Sequence, residues 1–166
     1  MNTADLASAL TGTVYNRIVQ LKDEISATIA TTGKRASGRT QESLRVLVEG
    51  NTIILVGRAF FPSLEYGSSN WTGKTGVRCT FAEFKEIIRA WANAKGLNFG
   101  QAKEHERAIG AITSSIIRRG TKDYRMGNYT DVYDTLITEA LLDIGEKVQV
   151  IAADAVDVVI DRWALK

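Results

Sequence analysis

The segment that most limits how this chain can fold is residues 43–57, SLRVLVEGNTIILVG. Two β-branched runs flank Gly50-Asn51, the composition of a two-residue hairpin turn. A loop that short sets the register, with Val48 opposite Ile53, Leu47 opposite Ile54 and Val46 opposite Leu55. Side chains alternate between the two faces of a strand, so these pairs make both faces of the ribbon apolar. A two-stranded ribbon is not stable alone. One face can be covered by the chain's own helices. The other needs a further layer, from more of those helices or from a neighbouring subunit.

The rest of the chain supplies helices. Leu6, Leu10, Val14, Ile18, Leu21, Ile25 and Ile29 recur at three- and four-residue steps, which gives one apolar stripe on a helix over 3–31. Thr3 caps its start and TTGK ends it. At ~1.5 Å per residue this helix runs roughly 40 Å, too long to sit wholly on a small domain, so part of it packs against something else. Thr80 and Glu83 have the spacing of a capping box. They open a helix with the stripe Phe81, Phe84, Ile88 and Trp91, closed by Gly96. Another helix fits 101–118, with Ala108, Ile109, Ile112 and Ile116 inward and Gly120 as its stop. The stretch TKDYRMGNYT reads as a loop. A last long helix covers about 130–164, where Ile137, Leu141, Ile144, Val148, Ile151, Ala155 and Val158 alternate steps of four and three. That is a heptad seam, filled by another helix of the same chain or of a second copy. The expected fold is α+β: a small antiparallel sheet packed by about four helices, the N- and C-terminal ones long.

A length of 166 residues suits one domain, 1–166, with a substantial core. Its 45% apolar and 24% charged residues are those of a soluble globular protein, and no run is long enough to span a membrane. MNTADLASALTG has no basic region ahead of an apolar stretch, so no signal peptide is expected. The lone Cys79 fits a reducing compartment. Net charge is only +2, but it is unevenly spread: residues 61–126 carry a net of +5 and residues 127–166 a net of −5. A basic middle and an acidic end either form two differently solvated faces or attract each other, within one chain or head to tail between copies.

The chemical motifs are weak. WTGKT ends like a phosphate-binding loop, but Gly67 is followed by five residues before Gly73-Lys74-Thr75, one more than that loop requires. No strand leads into it and no helix opens from it, as phosphate cradling needs, so it reads as a loop rich in Gly, Ser and Thr. His105 has Glu104 and Glu106 beside it, but adjacent residues on a helix do not face each other. It reads as a solvated side chain. Asp154, Asp157 and Asp161 share one helical face, as do Asp143 and Glu146; one straight helix cannot wrap an ion, so these form a solvent or partner surface. Trp91 belongs to a core stripe, and Trp71 and Trp163 are candidates for contact with another chain. Arg118, Arg119, Lys122 and Arg125, with Tyr124, either complement a helix C-terminus or touch phosphate. No catalytic residue, cofactor site or metal ligand emerges.

Residues 37–68 read SGRTQESLRVLVEGNTIILVGRAFFPSLEYGS. Gly38-Arg39 leads into a short helical turn, Ser43-Leu44 opens the hairpin, and Phe60, Pro62, Glu65, Tyr66 and Gly67 form an aromatic-x-Pro-x-x-Glu-aromatic-Gly run. In order and spacing this resembles the tail-completion, or head–tail joining, proteins of long-tailed double-stranded DNA bacteriophages. The later AITSSIIRRGT is similar to a helix end in related phage proteins. The resemblance covers about a fifth of the chain. It departs from the family beyond that: Pro62 is the only proline, and the chain has extra helices over 80–118 and a long C-terminal one. The residues themselves suit a corner of the fold, with Pro62 starting a turn, Leu64 and Tyr66 folding under the sheet, and Gly67 giving a left-handed exit.

The resemblance implies a virion structural protein of the neck, assembled in the host cytoplasm, without enzymatic activity. It would form a ring of about six or twelve copies, end the tail tube, and join the tube protein to the head connector or stopper protein. Lys74, Arg78, Arg118, Arg119, Lys122 and Arg125 would face genomic DNA in the channel or a partner. Three other readings stay open: a different connector ring (adaptor or stopper), a nucleic-acid-binding packaging accessory protein using those same cations, and a small hydrolase.

Overall fold

The computed structural model describes residues 3–34, 38–58, 63–69 and 80–164, with side chains described as far as residue 156. The protein is mostly helical with one small antiparallel sheet, an α+β arrangement. Its described elements are α1 (Thr3–Thr31), α2 (Arg39–Glu42), β1 (Arg45–Glu49), β2 (Thr52–Val56), α3 (Ser63–Tyr66), α4 (Phe81–Ala94), α5 (Ala102–Arg119), α6 (Lys122–Met126) and α7 (Asp134–Ala164). They form two compact units. The first contains Met1–Thr31, Ser43–Gly57 and Val132–Lys166, and the second Thr32–Glu42 and Arg58–Asp131.

The first unit holds the hairpin and both long helices. The strands pair in the register set by the two-residue loop, with Val46 opposite Leu55, Leu47 opposite Ile54 and Val48 opposite Ile53. Gly50 sits at φ 59° and Asn51 at negative φ, the sign pattern of a type II′ turn with Gly at its first central position. Helix α1 packs along α7 and against both strands. Leu21, Ile25 and Ile29 of α1 are buried with Leu44, Val132 and Ala140, whereas Leu6, Leu10 and Val14 are only half-buried. The N-terminal half of α1 is therefore the part that this unit leaves incompletely covered.

One link between the long helices was not legible as such. Arg17 is 8% exposed, and its Nη1 lies 3.1 Å from Glu24 Oε2 while its Nε lies 3.0 Å from Asp143 Oδ2 on α7. Asp143 also accepts from Lys147 Nζ at 2.8 Å. That hydrogen bond, with the charges of Lys147 and Arg17, holds the Asp143 carboxyl below the usual aspartate range. Asp143 is thus a tie between α1 and α7, a correction to its reading as part of an acidic solvent face. The α7 seam departs from expectation at one position: Ala140 is buried where Leu141 was expected and Leu141 is exposed, whereas Ile137, Ile144, Val148, Ile151 and Ala155 are half-buried along it.

The second unit is built on α4 and α5. Thr80 N donates to Glu83 Oε2 at 2.6 Å and Glu83 N donates to Thr80 Oγ1 at 3.3 Å, the reciprocal pair of a capping box. Ile88, Ala92 and Ile109 form the core, with Phe84, Phe99, Ile112 and Ile116 packed around it. Buried Thr113 is satisfied by donating to the Ile109 carbonyl at 2.7 Å. His105 lies against Phe99, ring centroids 5.5 Å apart, which corrects its reading as a solvated side chain.

An ion cluster ties α4 to α5. Arg89 Nε and Nη2 each donate to the Glu106 carboxylate at 2.8 Å, and Lys85 Nζ lies 2.8 Å from it. A bidentate guanidinium–carboxylate pair is a strong charge-assisted arrangement. The Arg89 bonds, then the Lys85 bond, bring the Glu106 carboxyl down from 4.5 to about 2. A carboxyl depressed on folding adds stability above its unfolded pKa and loses it as pH falls through the folded one. Glu106→Gln should therefore lower the stability of the second unit at neutral pH. The difference from the parent should shrink as pH falls below 4.5 and close near 2. Denaturant melts across that range would expose an error if the two curves stayed parallel.

Candidate assembly surfaces

Three surface features stand out among the described residues. No group of His, Cys, Asp and Glu among them converges as metal ligands would. No described helix is long and apolar enough to cross a membrane. Gly73, Lys74 and Thr75 of the phosphate-loop-like stretch lie outside the described residues, as do Pro62 and Arg78.

The first surface is the hairpin. No residue from Arg45 to Val56 is buried. Leu47 is 37% exposed on one face and Val48 52% on the other. Their cross-strand partners Ile54 and Ile53 are half-buried. Both faces thus stay partly wet, because two short strands leaning on one helix cannot seal themselves.

The second surface is the outer side of α7. Leu142 is 65% and Val150 61% exposed. Glu139 and Glu146, both exposed, lie on the same helical face as Leu142 and Val150 at three- and four-residue spacings. Leucines and valines on the outside of a helix, interleaved with carboxylates, are not what a solvated face requires.

The third surface belongs to the second unit. Ser63 and Leu64 of α3, the α4–α5 pair and the start of α6 enclose a half-open cavity of about 620 Å³. Its floor is apolar, made by Leu64, Phe84, Ile88, Trp91, Ile112 and Ile116. Trp91 is thus a wall of this cavity, a correction to its placement in the closed core, where Ala92 stands instead. Lys34, Lys95, Lys122 and Arg125 stand around the floor against the one carboxylate of Asp123. Lys34 Nζ is held by Asp123 at 2.6 Å, and Lys95 Nζ donates to the Gly33 carbonyl.

The motif residues are spread over both units. Gly38 is buried at φ 82°, and its carbonyl accepts from Glu42 N at 3.0 Å, so Gly38-Arg39 does start a helical turn, α2. Ser43 leads into buried Leu44 at the head of β1. Glu65 is fully buried, and its carbonyl accepts from Thr130 N at 3.2 Å. Tyr66 is half-exposed with its ring 5.5 Å from Tyr129. Leu64 lines the cavity. Gly67 has φ 68° and closes α3 by donating to the Ser63 carbonyl at 3.1 Å.

The basic run is divided. Arg118 and Arg119 form the last turn of α5, where cations complement the helix dipole, and Arg118 Nε donates to Ser114 Oγ at 3.1 Å. Lys122 and Arg125 lie on α6, a turn of helix that sequence reasoning passed over as loop, and reach the cavity rim. Thr121, extended before Lys122, and left-handed Gly127 after Met126 are the signals that bound it. Exposed Tyr124 lies between Lys122 and Arg125, with exposed Met126 directly after them. The chain matches no protein-family model, no curated protein and no solved structure.

Proposed function

We propose that the protein is a bacteriophage virion structural protein of the neck or tail-completion type, a ring of copies that ends the tail tube and joins it to the head connector. The observation that carries this reading is the hairpin. Leu47 and Val48, on opposite faces, are exposed and their cross-strand partners only half-buried, and sister copies would supply the missing cover. The ordered resemblance over 37–68 points the same way, and among its described motif residues Gly38 and Gly67 take left-handed turns and Glu65 is buried, roles that suit structural residues. Specificity would then reside in shape and charge at interfaces, which in obligate assemblies typically exceed about 2,000 Å².

Native mass spectrometry at micromolar concentration tests this directly. A closed oligomer is expected for the parent chain, and monomers for Leu47→Lys/Val48→Lys. Both side chains are already exposed, so the pair should fold normally, with stability within about 1 kcal/mol. A parent chain that stays monomeric rejects the ring. A second reading, nucleic-acid binding by Arg118, Arg119, Lys122 and Arg125, draws on exposed Tyr124 between them, because bases stack on aromatic rings beside cations. A monomer giving a salt-sensitive shift with DNA would favour that reading instead.

A further inference from the structure

We infer that the outer face of α7 in one copy docks into the cation-rimmed cavity of the second unit in a neighbouring copy. This rests on the ring reading and names the surfaces that would join its members. The α7 face offers Leu142 and Val150 with Glu139 and Glu146 between and beside them. Over residues 139–150 that face is roughly 16 Å long at ~1.5 Å per residue. The cavity offers the reverse: an apolar floor with four cations against one carboxylate at its edge. Apolar side chains can fill the floor while the two glutamates meet the rim, above all the exposed Lys122 and Arg125.

Charge decides between the possible partners for this face. Two α7 faces laid on each other would oppose glutamate to glutamate, and like charges in register are repulsive. Two cavities facing each other would oppose cation to cation. Only the mixed pairing brings acid to base, and it joins different surfaces on the two copies. Such a heterologous contact leaves the pair with one unused face of each kind, so it propagates and closes into a ring where the rotation permits. The net of +5 over 61–126 and of −5 over 127–166 has the same sense on the larger scale.

Charge reversal in full-length protein tests the pairing. One variant carries Lys122→Glu and Arg125→Glu, the other Glu139→Lys and Glu146→Lys. All four positions are exposed, and unchanged circular dichroism would verify folding. Native mass spectrometry at low salt should find the oligomer lost in each variant alone and recovered when the two are mixed in equal amounts, because each altered surface then meets its complement. Raising the salt should weaken the parent oligomer as the charges are screened. A Lys122/Arg125 variant that still assembles like the parent overturns this pairing and leaves the ring standing. So does a mixture that stays dissociated. A monomeric parent overturns both.

Discussion

Replacing Gly67 with alanine should destabilise the second unit by about 3 kcal/mol, while the same change at Gly127 should cost about 1 kcal/mol. Both glycines are left-handed, at φ 68° and 63°, so both variants carry the strain of a Cβ in that conformation. They differ in what the Cβ meets. At Gly127 nothing lies within 4 Å, whereas at Gly67 it would meet Thr121 Oγ1 and, at 2.6 Å, the backbone nitrogen of Tyr124. The backbone atom cannot swing aside. Ser68 and Thr121 fix the approach: Ser68 N donates to Thr121 Oγ1 and Thr121 N donates to the Ser68 carbonyl, each at 2.9 Å. The added methyl must therefore pry α3 off α6 and break that pair of bonds. Urea midpoints of the two variants measure the difference. Equal shifts would mean that the close approach is absent and only the backbone strain counts.

This glycine illustrates how much was legible in the sequence. A left-handed exit after Tyr66 follows from local chain geometry, and φ 68° agrees with it. The contact with Thr121 and Tyr124 joins segments more than fifty residues apart, and no local pattern encodes that. The same division runs through the fold. The α1 span, the hairpin register and the Thr80–Glu83 capping box depend on neighbours within a few residues, and each emerged as expected. Leu141 and Ala140 exchanged roles because helical periodicity tolerates a shift of one position until a real partner selects the face.

The surfaces were harder to read than the core for the same reason. That the ribbon is apolar on both faces could be derived from alternation alone, and the exposures of Leu47 and Val48 follow from it. The cavity could not, since its floor joins side chains of α3, α4 and α5. The signal for its proposed occupant was nevertheless present. Glu139, Leu142, Glu146 and Val150 recur at helical spacing, a second stripe masked by the stronger seam that packs inward. Arg17 lacked any such signal, because a cation inside an apolar stripe resembles a surface residue until Asp143 comes within 3.0 Å of it.

The second large effect is expected at Ile109. It is fully buried and packs with Ile88 and Ala92 inside a ring of half-buried side chains. Truncation to alanine removes buried carbon and leaves a cavity, which in well-packed cores costs about 2–5 kcal/mol. A value near the upper end is expected here, because with so few fully buried partners there is little adjoining mass to collapse into the gap. Against a typical total of about 5–15 kcal/mol, that loss would leave the unit partly open at equilibrium. Amide exchange should then accelerate across α4 and α5. Because Ile88, Ile112 and Ile116 serve both this core and the cavity floor, the floor should lose definition together with the core, and Ile109→Ala should weaken assembly without touching any exposed residue. Raising temperature should widen its deficit further, whereas the charge-reversed variants leave the core intact and should lower the melting point only by the stability that assembly itself confers. A stability loss below about 1 kcal/mol would mean that the α4–α5 pair does not depend on Ile109, and the cavity floor would then need another support.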